Sequence, residues 1–197
     1  MQKRQRVQDS PLSPVRRKGE SRMEEYIVLV NDRDEAVGLE EKLRVHRAGL
    51  LHSAFSVFMV NPAHTQMFLQ KRASCKYHSP GLWTNACCSH LREGETLDSA
   101  IERRMVEELG IRCRCEHLFD FRYRTEFDND LIENEYDHVF LTEYEGPVVP
   151  APDEIDAYKW IDLGDLDAWI EKSPESFTSW FRIAYPRVRK MLGGRTE

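Results

Sequence analysis

The amino-acid sequence predicts a single α/β domain of the α+β sandwich type, in which a mixed β-sheet is flanked by helices. Three observations support this fold class. Strand-like and helix-like segments follow one another in mixed order, unlike the regular β-α alternation of a doubly wound parallel sheet. The length of 197 residues suits one domain with a buried core. Hydrophobic residues make up 41% of the chain, as in globular proteins.

The first half of the domain is typical of strands joined by tight turns. Asn31–Asp34 is a turn-forming cluster, and Asn61-Pro62 ends a second β-rich run. Cys75–Trp83 contains Ser79-Pro80-Gly81 and is expected to be irregular. The strands predicted in this half are Tyr26–Val30, Ala36–Glu40, Ala54–Val60 and Gln66–Lys71.

The second half combines helices with longer strands. Between Thr96 and Leu109 the apolar residues recur at helical spacing, with charged residues on the other side. Gly110 stands where a left-handed residue would end this helix. The remaining predicted elements are strands at Arg114–Arg124, Ile132–Tyr144 and Tyr158–Ile161, and helices at Asp165–Glu171 and Thr178–Leu192.

Charge is distributed unevenly along the chain. The first 22 residues hold seven basic and two acidic groups, whereas the whole chain has a net charge of −6. We expect residues 1–23 to be a basic, disordered extension and residues 24–194 to be the domain. We expect the extension to be a tail without a specific role, and a transit peptide or an RNA-binding arm are the alternatives. The acidic domain disfavours nucleic-acid binding.

The hydropathy and the cysteines of the chain indicate the cellular compartment of the protein. Met1 to Arg22 lacks the apolar region of a signal peptide, and no apolar run reaches the roughly 18–20 residues of a membrane span. We therefore expect a cytoplasmic protein. The five cysteines are an odd number without structural-zinc spacing, so we expect reduced thiols, of which one could be catalytic.

Pairs of polar residues two positions apart predict a metal-binding face. Cys88 and His90 point the same way in an extended segment, and so do Glu133 and Glu135. Two carboxylates on one face of a β-prone strand are costly to bury without a cation. With the imidazoles of His46, His52 and His90 they form a donor set for a divalent ion. A solvated face with ordinary histidines is the alternative.

The end of the Thr96–Leu109 helix is acidic. Glu107 and Glu108 lie four residues after Arg103 and Arg104, a spacing that favours salt bridges on one helix face. Alternatively, the acidic end could hold a magnesium ion that bridges to phosphate oxygens. The basic residues that could bind such a phosphate are Lys42, Arg72 and Lys76, which spacing alone does not distinguish from surface charges.

The segment Ser89–Ile111 resembles the Nudix box, G-x5-E-x7-R-E-U-x-E-E-x-G-U, where U is bulky and aliphatic. Two positions depart from it. Ser89 replaces the glycine, and Arg104 replaces a glutamate that helps Nudix hydrolases to hold their catalytic ion. The resemblance implies a Nudix-like fold, but the second departure disfavours diphosphate cleavage. The matching positions are Glu95, Arg103, Met105, Glu107, Glu108, Gly110 and Ile111.

The type I isopentenyl-diphosphate isomerases show the same two departures. The chain resembles this family from about Tyr26 to Trp180. The resemblance implies interconversion of isopentenyl and dimethylallyl diphosphate by proton transfer through a tertiary carbocation, in isoprenoid biosynthesis. A Nudix pyrophosphohydrolase and a catalytically silent metal-binding protein of this fold are the alternatives. The segments that carry the resemblance are Leu51–Ser56, Gln70–Arg72, Pro80–His90, Phe121–Arg124 and Glu133–Glu135.

The resemblance also implies residue roles. Cys88 matches the catalytic thiol, Glu135 the opposing acid or base, Tyr123 its hydrogen-bonding tyrosine and Trp180 the aromatic ring that faces the cation. The implied ligands of one divalent ion (Zn²⁺, Mn²⁺ or Mg²⁺) are His46, His52, His90, Glu133 and Glu135. Glu108 would contribute to a Mg²⁺ site at the diphosphate. The implied diphosphate-binding residues are Lys42, Arg72, Lys76 and Arg104.

The implied partner is therefore a small molecule, isopentenyl or dimethylallyl diphosphate. We expect no nucleic-acid or membrane partner. For the oligomeric state, we expect a monomer or a weak homodimer.

Overall fold

A computed structural model describes residues 25–194 of the chain. The predicted basic extension, residues 1–23, lies outside the described residues. The strands are β1 (Tyr26–Val30), β2 (Ala36–Glu41), β3 (His52–Val60), β4 (Gln66–Arg72), β5 (Trp83–Thr84), β6 (Cys87–His90), β7 (Glu116–Glu126), β8 (Ile132–Glu143) and β9 (Ile155–Asp162). The helices are α1 (Lys42–Ala48), α2 (Leu97–Leu109), α3 (Leu163–Lys172) and α4 (Ser179–Gly193), with a 3₁₀ turn at Pro174–Ser176.

Strand β3 is the centre of the sheet. Every residue of His52–Val60 is buried, as expected for a strand covered on both faces. It pairs with β8 in parallel and with β1, β4 and β6 antiparallel. The hairpin of β7 and β8 extends the sheet on one side, and β9 pairs with β4 on the other. The sheet is therefore mixed, as the sequence predicts.

Two hydrophobic cores cover the two faces of this sheet. On one face, α4 packs through residues such as Phe181 and Val188 against Phe58 and Leu69. On the other face, α2 packs through Ile101 against a core that includes Phe55. Helices on both faces of a mixed sheet confirm the predicted α+β sandwich.

The sequence did not predict helix α1, nor the short strands β5 and β6. Helix α1 has seven residues, and most of them are polar or charged, so it carries almost no apolar periodicity. The side chain of Glu41 caps it by accepting hydrogen bonds from the N–H groups of Leu43 and Arg44. Gly49, with φ of 61°, ends it. The helix matters because it carries His46.

Other differences concern element ends. Strand β3 begins at His52, two residues before the predicted start, and β7 begins at Glu116 instead of Arg114. Strand β9 begins at Ile155, three residues before the prediction. Propensity defines strand ends poorly, because hydrogen-bonded partners on other strands determine them. Among residues 25–194, helices long and apolar enough for a bilayer span are absent.

Candidate active site

The register of four neighbouring strands brings the predicted site residues to one face of the sheet. On β3, His52 pairs with Glu135 of β8, and Ala54 pairs with His90 of β6. On the far side of β8, Tyr123 of β7 also pairs with Glu135. Paired residues share a face, so these side chains converge although they are far apart in sequence.

Glu133 is surrounded by imidazoles. Its Oε1 lies 3.1 Å from Nε2 of His46 and 3.0 Å from Nε2 of His78, and its Oε2 lies 3.4 Å from Nε2 of His52. Only 1% of its surface is exposed. The alternative interpretation, in which the two glutamates lie on a solvated face, is therefore wrong. The neighbouring Glu135 is also buried, with Oε1 3.0 Å from Nε2 of His90.

The tautomers of two histidines fit a metal ion. Nδ1 of His46 lies 2.5 Å from the carbonyl of Lys42, and Nδ1 of His52 lies 2.9 Å from that of Leu50. In the neutral rings, donation to these carbonyls directs the lone pair of each Nε2 towards Glu133. Both Nε2 atoms and Oε2 of Glu133 are buried without a hydrogen bond. Lone pairs that face each other in this way suit a cation between them.

The donor set matches a borderline divalent ion. Donor atoms of His46, His52, His90 and Glu133 all lie within 4.8 Å of one another. Burial lowers the pKa of His90 to about 3, which keeps that ring neutral and able to bind a metal. Burial opposes charge on His52, but Glu133 and Glu135 outweigh it and raise its pKa to about 10, so a bound ion would replace the proton on Nε2 of this ring. The cluster can therefore hold a divalent metal ion.

Glu135 joins this cluster to a cavity. Tyr123 donates a hydrogen bond of 2.6 Å to its Oε2. Burial, together with the charge of Glu135, raises the pKa of Tyr123 well above its usual value. The hydroxyl thus keeps its proton and holds the carboxylate in place.

The cavity has a volume of about 60 Å³. One water needs roughly 10–15 Å³ by this measure, so the cavity has space for about five waters or a short hydrocarbon chain. Cys88 and Glu135 both line it. Burial raises the pKa of Cys88 to about 12, so the group is a thiol at neutral pH. Cys87, by contrast, packs in the core on the α2 side.

Trp180 of α4 also lines the cavity. It is 4% exposed, and its indole Nε1 is buried without a hydrogen bond. The guanidinium carbon of Arg72 lies 5.3 Å from the centroid of its ring. The ring therefore already faces a positive charge in the cavity.

The predicted diphosphate-binding residues also line the cavity, and all of them except Arg72 are paired with acids. Nζ of Lys42 lies 3.1 Å from Oε2 of Glu25. Lys76 pairs with Glu154, and Arg104 lies 3.2 Å from the other oxygen of that carboxylate. The predicted site residues that line the cavity are Lys42, Arg72, Lys76, Cys88, His90, Arg104, Tyr123, Glu133, Glu135 and Trp180.

Glu108 lies behind the cavity wall and not in it. Its Oε1 accepts hydrogen bonds of 3.1 Å and 2.6 Å from Arg104, and its Oε2 accepts one of 3.1 Å from Gln70. Arg103 also lies 3.3 Å from Glu107. Both salt bridges expected from the helical spacing are thus formed.

The sequence did not single out His78 and Glu154, which contact predicted residues of this site. His78 lines the cavity in contact with Glu133, and Glu154 holds Lys76 and Arg104. His78 lies in the segment expected to be irregular, directly before a turn, where periodicity gives no signal. Glu154 lies in a loop among other acids. The proximity of His78 to the implied Lys76 was the only available signal.

Comparison with known proteins adds to this geometry. The NUDIX domain family model matches residues 50–181. Isopentenyl-diphosphate Delta-isomerase 1 of Aromatoleum aromaticum is 45% identical, over 84% of this chain and 93% of that protein. Isopentenyl-diphosphate Delta-isomerase 2 of the same organism is 43% identical, over 84% and 87%. The isopentenyl-diphosphate Delta-isomerase of Photobacterium profundum is 46% identical, over 81% and 91%.

Solved structures are similar in fold. The DR0079 protein of Deinococcus radiodurans has a TM-score of 0.61 at 20% identity, over 75% of this chain and 90% of that one. A MutT NUDIX hydrolase of Burkholderia pseudomallei has a TM-score of 0.54 at 24% identity, over 68% and 95%. These likenesses show a Nudix fold for the chain.

Proposed function

This chain belongs to the isopentenyl-diphosphate Delta-isomerases with a NUDIX domain, and we propose that the cavity between Cys88 and Glu135 is its active site. The chain is an isomerase that interconverts isopentenyl and dimethylallyl diphosphate in isoprenoid synthesis. The observation that supports the site is that the thiol and the Tyr123–Glu135 pair line one small cavity.

The reaction needs two proton transfers. A proton adds to the terminal carbon of the alkene and leaves a positive charge on the neighbouring tertiary carbon. Loss of a proton from the next CH₂ group then forms the new double bond. The thiol of Cys88 carries one exchangeable proton, and the pair of Tyr123 and Glu135 shares another. The two roles exchange with the direction of the reaction.

Trp180 protects the cation. Its ring face attracts positive charge, by about 2 kcal/mol or more in a desolvated site. The ring is also a weaker nucleophile than water or a carboxylate, and a bound substrate would displace water from the cavity.

The residues that would hold a divalent ion (Zn²⁺, Mn²⁺ or Mg²⁺) are His46, His52, His90, Glu133 and Glu135. When bound, the ion would offset the charge of the two buried carboxylates and fix the orientation of Glu135. The chemistry of the donor set supports this assignment.

The basic cavity residues would bind the diphosphate. Lys42, Arg72 and Lys76 supply positive charge, and Arg104 would turn from Glu108 towards a phosphate oxygen. Glu108 would then be free for the Mg²⁺ ion that accompanies the diphosphate. Arg104 also disfavours the hydrolase alternative, because it replaces a glutamate that helps such an enzyme to hold its ion.

The decisive experiment incubates the Zn²⁺-loaded protein with isopentenyl diphosphate and Mg²⁺ in deuterated water. We expect isomerisation with deuterium incorporation and no release of phosphate. Cys88→Ala should lower kcat by about 10²- to 10⁴-fold, because it removes an acid–base group.

Cys87→Ala is the matched control. Cys87 is fully buried away from the cavity, and its thiol donates to Oε1 of Glu108 at 3.4 Å. Its replacement should affect kcat far less, and the metal content of both variants should equal that of the wild type. Equal losses of activity, or phosphate release, would contradict the proposal.

A further inference from the structure

A second group of metal-binding side chains lies on the opposite face of β8. Nε2 of His117 lies 2.6 Å from Oδ1 of Asp120, and Nδ1 of His138 lies 2.9 Å from the same oxygen. Donor atoms of the three residues all lie within 4.8 Å of one another. Because Glu135 and His138 are three positions apart on a regular strand, this group faces away from the catalytic cavity.

A β-bulge brings the group together. His117 and Asp120 are three positions apart on β7 and would point to opposite faces of a regular strand. The register shifts between His117 and Phe119, so that His117 pairs with Phe140 and Asp120 with His138. Phe140 and His138 share a face, and their partners therefore do too. Bulges commonly redirect side chains at functional sites.

A further carboxylate orients the buried histidine. Oδ2 of Asp34 lies 3.3 Å from Nε2 of His138, the ring nitrogen that does not face Asp120. Asp34 reaches this position from the β1–β2 turn with φ of 62°. Donation from Nε2–H to Asp34 leaves a lone pair on Nδ1 that points to Asp120. Carboxylate–histidine pairs orient metal ligands in this way.

We infer that His117, Asp120 and His138 form a second, surface site for a divalent transition ion such as Zn²⁺. Two imidazoles and a carboxylate suit this class of ion. His138 is buried, whereas His117 and Asp120 are partly exposed, so that ions can enter from solvent. With three protein ligands, the fourth position is left to water.

The test counts Zn²⁺ ions bound by the full chain. Metal-free protein is titrated calorimetrically with Zn²⁺ in the absence of substrate, and the wild type should bind one equivalent more than His117→Ala. Asp34→Asn should lower the Zn²⁺ affinity of this additional site by about 10- to 100-fold, because it removes the orienting carboxylate. Asparagine also adopts the left-handed conformation readily, so the turn is preserved.

His64→Ala is the matched control. His64 also contacts an acid, with Nε2 2.7 Å from Oε1 of Glu143, but it belongs to no group of three donors in the described part of the chain. This variant should bind as many ions as the wild type. With the catalytic site filled, His117→Ala should retain isomerase activity. The inference fails if His117→Ala and the wild type bind equal numbers of Zn²⁺ ions.

Discussion

Glu133 is a buried carboxylate in contact with three histidines. Burial alone would raise its pKa, but the neighbouring rings of His46, His52 and His78 outweigh burial and lower the pKa well below its usual value. A buried carboxylate persists when positive or donor groups surround it. His78 is one of these groups, although it is not in the donor set expected from the sequence.

His78→Phe tests the role of this histidine. Phenylalanine retains a ring that can stack on Phe127, whose centroid lies 5.2 Å from that of His78, but it loses the nitrogen 3.0 Å from Glu133. Metal affinity should fall by about 10- to 100-fold, as for other groups that orient a ligand. Competition with a chromogenic chelator measures this fall. Tyr77→Phe, on the same loop, is the control, and equal affinities of the two variants would refute the role.

The partly buried Glu25 predicts how the stability of the protein depends on pH. Although burial opposes its charge, Lys42 and Arg92 lower its pKa from 4.5 to about 2. Because the folded pKa is below the unfolded one, its contribution to stability is complete above about pH 4.5 and disappears as the pH falls towards 2. The difference in unfolding free energy between wild type and Glu25→Gln should therefore shrink below about pH 5. Urea titrations from pH 7 to pH 3.5 measure it, and a pH-independent difference would contradict the assignment.

At the scale of elements, α2 is the best example of local sequence information. Thr96 and Ser99 form a capping box at its start. Gly110 ends it in a left-handed conformation with φ of 69°. These end signals and the apolar periodicity agree, so the sequence predicted the helix almost to the residue.

Gly110→Ala should destabilise the protein by about 1–2 kcal/mol, because a side chain is strained in the left-handed region. The added Cβ would also lie 3.1 Å from Cβ of Val149. Gly164→Ala is the control, since its Cβ would meet nothing within 4 Å and the residue lies in α3. That change should be neutral or stabilising by up to about 1 kcal/mol. Denaturant unfolding measures both, and equal stabilities would contradict the prediction.

At the scale of the whole molecule, the metal cluster connects α1 with three strands. His46 lies on α1, His52 on β3, His90 on β6 and Glu133 on β8. An ion bound to all four would therefore tie these elements together in the folded state. Because the ligands are not assembled in the unfolded chain, ion binding would add to folding stability.

Removal of the ion should thus lower stability as well as activity. An ion at 100 times its dissociation constant stabilises the folded state by about 2.7 kcal/mol. We expect chelation by EDTA to abolish turnover and lower Tm, and Zn²⁺ to restore both. Calorimetry with and without chelator measures the change. An unchanged Tm would argue against a bound ion at this cluster.

Sequence motifs were sufficient to predict the family and the reaction. The T-N-x-x-C-x-H segment at Thr84–His90 and the E-N-E segment at Glu133–Glu135 carried the resemblance, which the relatives confirm. The mixed sheet with flanking helices is confirmed as well. The metal choice, residue roles, oligomeric state and cytoplasmic location stay predictions. The motifs are informative because a reaction constrains a few side chains strongly wherever they lie in the chain.

The features that can be predicted from the residues alone are local: the type of most elements, the capped helix α2 and the two-residue alternation that places Cys88 with His90 and Glu133 with Glu135. Tertiary contacts, by contrast, bury Glu133 among three histidines and bring Glu154 to two cations of the cavity. Alternation depends on the geometry of one strand, whereas burial and pairing depend on register with strands far away in sequence.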